Sequence, residues 1–110
     1  TKMKITDLQR LDQNIIKILA DHRGIDKAID GELLAQSLNV NLRTLQARIE
    51  FLQGKGCAIG SIDNIGYFAP TNEEERTKGI TKKENMAYST LKAVMGVRSA
   101  SLDWLDKMID

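Results

Sequence analysis

The stretch NLRTLQARIEFLQGKG, from Asn41 to Gly56, holds the residue types best suited to binding chemistry in this chain. A guanidinium presents a planar fork of donors that matches the O6 and N7 edge of guanine, or a phosphate. Arg43 and Arg48 supply two such forks. Thr44 and Ala47 carry methyl groups that can meet the methyl of thymine. Asn41 and Lys55, at the ends of the stretch, suit phosphate oxygens, which set register without carrying sequence information.

Spacing supports a helix through this stretch. Leu42, Leu45, Ile49 and Leu52 follow one another at three- and four-residue steps, which puts them on one face. Stepping about 100° per residue, Arg43, Thr44, Ala47 and Phe51 fall on the far side, with Arg48 at one flank and Gln46 and Glu50 at the other. The residues expected to face bases are Arg43, Thr44 and Ala47. Asn41, Arg48 and Lys55 are expected to face phosphates. The alternative is an ordinary solvated face of an amphipathic helix. Phe51 is expected to pack under a neighbouring element.

Other reactive residue types lead nowhere catalytic. His22 is the single histidine and Cys57 the single cysteine, so no metal-ligand spacing exists. Lys55 can lower the pKa of Cys57, but a buried structural thiol is the better reading at the start of a strand. Glu73, Glu74 and Glu75 are explained as acids at the positive end of a helix. There is no phosphate loop, nucleophile elbow or triad. Neither an enzyme nor a cofactor is expected.

The surrounding elements are read from caps and periodicity. Thr6 to Gln9 resembles a capping box, opening a first helix that carries Leu8, Leu11, Ile15, Ile18 and Leu19 and ends near Asp21–Gly24. RGIDKAI is a polar connector. Asp30 caps a second helix with Leu33, Leu34 and Leu38 inward. Asn39 suits a left-handed turn residue and Val40 a buried plug, and Asn41 caps the third helix. Gly54 and Gly56 stop it. Ala58–Ile62 and Ile65–Ala69 form a hairpin around Asp63 and Asn64, closed by Pro70. Thr71 and Asn72 start a helix that Gly79 should break. Thr81 to Glu84 restarts one that Gly96 should end, and Ser99 or Ser101 caps the last.

The expected fold is mainly α with a small β-hairpin: a winged helix-turn-helix over residues 1–70, followed by a helical C-terminal extension over 71–110. Glu32-Leu33-Leu34-Ala35, Leu38-Asn39-Val40, Arg43-Thr44-Leu45, Arg48-Ile49, Leu52 and Gly56 resemble the DNA-binding domain of biotin-operon-repressor-type winged helices. Gly66-Tyr67-Phe68 with Pro70 resembles the end of the wing in that family. The chain is also similar to small phage and mobile-element proteins of Gram-positive bacteria. The resemblance implies a sequence-specific double-stranded-DNA-binding protein acting in transcription or replication regulation. Two departures stand out. Asn41 replaces the usual capping serine, and no lysine or arginine lies between Ala58 and Ala69, where wings commonly carry one.

Charge limits what such a protein can do. The net charge of 110 residues is +1, so no global field draws it to nucleic acid. Any DNA affinity should be local and strongly salt-dependent, and a second copy would help by doubling the contacts. Leu91, Val94, Met95, Leu102, Trp104, Leu105, Met108 and Ile109 offer the apolar surface for a homodimer, or else fold back on the first helix. The rival function is a winged-helix module that binds a host or replication protein without reading DNA. The single cysteine fits a cytoplasmic location, and no membrane span or signal peptide is visible.

Overall fold

A computed structural model describes residues 4–109. The chain is mainly helical with one small two-stranded antiparallel sheet. The order is α1 (Arg10–Leu19), α2 (Gly31–Ser37), α3 (Leu42–Gly54), β1 (Gly60–Ile62), β2 (Gly66–Phe68), α4 (Glu73–Ser99) and α5 (Trp104–Ile109). It divides into two compact units, Thr1–Ile80 and Thr81–Asp110.

The core of the first unit is one apolar cluster. Ile15 and Leu19 of α1 meet Leu34 and Ala35 of α2, Leu45, Ile49 and Leu52 of α3, and Ile29 and Ile59 from the connections. The caps of α2 and α3 form as expected. The Asp30 carboxylate accepts from the N–H groups of Glu32 and Leu33, and Asn41 Oδ1 accepts from Thr44 N–H at 2.7 Å. Asn39 adopts φ 56° in the turn between them. After α3 the Cys57 N–H reaches Leu52 C=O and the Gly56 N–H reaches Gln53 C=O. That pair is a Schellman closure, and Gly56 supplies its φ of 99°.

Several boundaries differ from expectation. The Thr6 capping box does not form. Ile5–Asp7 is a separate 3₁₀ turn, tied by Lys4 N–H to the Asp7 carboxylate, and α1 starts at Arg10 with Gln9 at its cap. Helix α1 has Ala20 at its C-cap, one residue before the expected end at Asp21–Gly24. Gly24 (φ 93°) serves the connector instead, where its N–H donates to Ala69 C=O. The connector is more than a linker. Arg23 bridges Ala69 in parallel and Ile29 bridges Tyr67 antiparallel, so it flanks β2 on the side away from β1. The contact is close: a Cβ on Gly66 would lie 2.1 Å from Ile29 O. Leu33, expected inward, is exposed.

The largest difference is α4, which passes unbroken through Gly79 and Gly96. Thr81 to Glu84 therefore lies inside α4 and starts no new helix. Gly79 is interior because the helix crosses the hairpin at that point. A Cβ there would sit 2.7 Å from Gly60 Cα and 3.1 Å from the Phe68 ring. Glycine is present for space, not as a stop. Asn72 caps α4 by accepting from Glu75 N–H. The Glu75 carboxylate accepts from Thr71 N–H and Oγ1 and also from Ile25 N–H. These bonds hold its pKa below the ordinary carboxylate value, those from Thr71 foremost. They fasten the start of α4 to the connector, which explains why the first unit extends past Pro70 to Ile80.

Two predictions follow from the α4 contacts. Gly79→Ala should destabilise the protein by about 1–3 kcal/mol through overpacking. Gly96→Ala, with no atom within 4 Å of the added Cβ, should leave stability unchanged or raise it by up to about 1 kcal/mol through helix propensity. Urea denaturation of the pair distinguishes the two roles. Glu75 predicts a pH effect. Its folded pKa lies below the unfolded value of 4.5, so its contribution is present above that pH and lost as pH falls through the folded value. Glu75→Gln should remove that part of the acid destabilisation, read from melting temperatures between pH 6 and pH 3.

Candidate nucleic-acid interface

Helix α3 carries the residues singled out above, and the structure separates them. Measured from the buried Leu45, Ile49 and Leu52, the outward axis passes within about 30° of Arg43, Ala47 and Gly54. Arg43 and Ala47 are exposed, as expected. Thr44 is only half-buried rather than outward. Leu42, expected in the core, is 37% exposed at the first turn, beside the ring of Tyr67 across Gly31. Asn41 is exposed, with its side chain engaged as the cap. Lys55 is the C-cap residue.

Arg48 is placed differently from the expected phosphate contact. Its guanidinium grips Asp12 of α1 in a bidentate pair, Nε to Oδ1 at 2.9 Å and Nη2 to Oδ2 at 2.6 Å. The Asp12 side chain is 1% exposed and that of Arg48 28%. The hydrogen bond to Asp12 is the main cause of the raised Arg48 pKa. With its amide oxygen turned inward, Gln9 also accepts from Nε and Nη2 at 3.0 Å. The guanidinium lies 4.4 Å from the Phe51 ring centroid, and Lys55 Nζ lies 5.5 Å from it. Phe51 therefore backs two cations on the surface of α3 and is not covered by a neighbouring element.

Asp12 is the residue that the sequence reading passed over. Its signal was present. Asp12, Ile15 and Leu19 share one face of α1, so a carboxylate interrupts an apolar stripe. A buried charge needs a partner. Arg48, between the core positions Leu45 and Leu52, is placed to provide it.

The hairpin joins Gly60 to Phe68, Ser61 to Tyr67 and Ile62 to Gly66. Its turn exposes Asp63, Asn64 (φ 67°) and Ile65. No cation comes from the hairpin itself. Cys57 has its thiol pKa raised, first by burial and then by the Asp12 charge. That is opposite to thiolate activation. No group of three or more potential metal ligands occurs among the described residues. Among them, too, no helix is long and apolar enough to cross a membrane.

The second unit contains the C-terminal part of α4 and the short α5. Leu91, Val94, Met95, Leu102, Trp104, Leu105, Met108 and Ile109 are all exposed, from 46% at Val94 upward. Ser101 bonds to Asp103 before α5, and Lys107 pairs with Asp103 at 3.5 Å. Comparison with protein-family models, curated proteins and solved structures found no match for this chain.

Arg48→Ala should destabilise the fold by about 2–4 kcal/mol, because it leaves Asp12 charged and buried without a partner. Asp12→Ala should cost less, since Arg48 can turn to water. Asp12→Leu with Arg48→Met should recover most of the loss. Chemical denaturation of wild type, Asp12→Leu, Arg48→Met and the double variant closes the double-mutant cycle, with the two alanine variants measured beside it.

Proposed function

We propose that this chain is a small sequence-specific double-stranded-DNA-binding protein with winged helix-turn-helix architecture. It serves as a regulator of transcription or replication. In this reading α2, the Asn39 turn and α3 are the helix-turn-helix, and the β1–β2 hairpin is the wing. The observation that carries it is the Asn41-capped helix presenting Arg43 and Ala47 opposite a leucine-isoleucine core. A helix entering the major groove reads bases mainly from its N-terminal residues. Arg43 then pairs with guanine, and Ala47 lies against a thymine methyl. Arg48 positions α3 against α1, and Lys55 contacts phosphate. Net charge near neutral makes one copy a weak binder, so two copies pair through the apolar C-terminal helices.

A second reading is a winged-helix module that docks a host or replication protein. It is favoured by the exposed Ile65 at the hairpin turn and by the lack of basic residues from 58 to 69. Selection of bound duplexes from a random pool separates the readings. The first expects one motif, arranged as a palindrome by two-fold pairing. Arg43→Ala should then weaken binding about tenfold or more and relax preference at a single guanine, with the fold intact by circular dichroism. No motif from the pool, together with one stoichiometric protein partner after nuclease treatment, would establish the second.

A further inference from the structure

We infer that two copies of this chain pair antiparallel through one strip of α4, with Leu91 on the two-fold axis; this rests on the two-copy pairing proposed above and needs no DNA contact of α3. Helix α4 runs unbroken to Ser99, so its C-terminal half is one continuous surface. Stepping from Leu91 along the helix puts Glu84, Ala87, Tyr88, Val94, Met95 and Arg98 within about 60° of it. All seven are exposed. Met86, Ala93 and Val97 are exposed as well, but they lie roughly 120–160° from Leu91, on the far side of the helix.

The order of residues along the strip selects the partner. Its members stand three, four and seven positions to either side of Leu91, so the strip is symmetric about its centre. A two-fold axis through Leu91, perpendicular to the helix, lays such a strip on its own reverse. A second copy therefore fits it, because a two-fold interface uses the same patch on both subunits. Tyr88 then packs on Met95 of the second copy, Ala87 on Val94 of the second copy, and the two Leu91 side chains meet at the axis.

The charges select the direction. Glu84 and Arg98 close the strip at opposite ends, each about 10.5 Å from Leu91 along the helix. Antiparallel pairing puts each Glu84 beside Arg98 of the second copy, twice in the dimer. Parallel pairing would set Glu84 against Glu84 and Arg98 against Arg98. Apolar contacts hold the pair together, and charges at its edges choose the orientation. Exposed ion pairs add little affinity by themselves, but like charges in their place oppose the parallel form.

Sedimentation equilibrium of the full chain, without DNA and up to near-millimolar protein, tests the pairing. The proteins compared are wild type, Glu84→Arg, Arg98→Glu and the double exchange, with circular dichroism to check that helix content is kept. Wild type should be a dimer. Each single reversal should raise its dissociation constant roughly tenfold, because two attractive contacts become repulsive. The double exchange should restore it. A dimer that neither reversal weakens overturns the inference, since in a parallel dimer each reversal only replaces one like pair by another. A double exchange that stays as weak as the single variants overturns it as well. So does a monomer at every concentration, which leaves the strip to a different protein. Duplex selection by wild type is a separate measurement, so the DNA-binding reading can fail while the pairing holds, or hold while the pairing fails.

Discussion

A carboxylate in an apolar interior is stable only if its charge is matched, and that requirement fixes how α1 and α3 meet. Asp12 lies on the core face of α1 with Ile15 and Leu19, and Arg48 of α3 answers it with two hydrogen bonds. Hydrophobic contacts among Ile15, Leu45 and Ile49 tolerate small slides of one helix along the other. A bidentate pair does not, because both bonds depend on a shared plane. The pair therefore adds orientation to a contact that burial alone would leave loose. It also settles what else α3 can do. A guanidinium with two of its donors held by Asp12 has fewer left for any other ligand, although its side chain stays partly exposed.

Much of the first unit was legible in the residues. Asp30 and Asn41 act as caps because their short oxygens fit a helix start, and Asn39 takes the left-handed turn for the same local reason. Leu45, Ile49 and Leu52 are core because periodicity and burial coincide. Asp12 goes unnoticed in the sequence because apolar periodicity does not ask which stripe a charge interrupts. Leu42 was misread because the first turn of a helix lies at the edge of its contact.

Glycine caused the other errors. Gly56 does end a helix, and its positive φ is the reason. Gly79 and Gly96 have helical backbones, and nothing local distinguishes them from Gly56 in sequence. The role of Gly79 depends on Gly60, nineteen positions away, which no local pattern can reveal. The connector before α2 was similarly misjudged. Its backbone pairs with β2 through Ile29 and Tyr67, and pairing across such a separation leaves no mark on a polar stretch. Glu75, read as one of three interchangeable helix-start acids, differs from its neighbours because the Ile25 N–H is within reach.

The crossing of α4 over the hairpin has a consequence for how this sequence can change over time. Gly60 and Gly79 touch through backbone atoms, and each already has the smallest side chain available. In most packed pairs, growth at one position can be offset by shrinkage at the other. Here neither residue has anything left to give up. The contact can drift only if Phe68 shrinks or the helix moves outward as a body, so both glycines should stay fixed in descendants that retain this crossing.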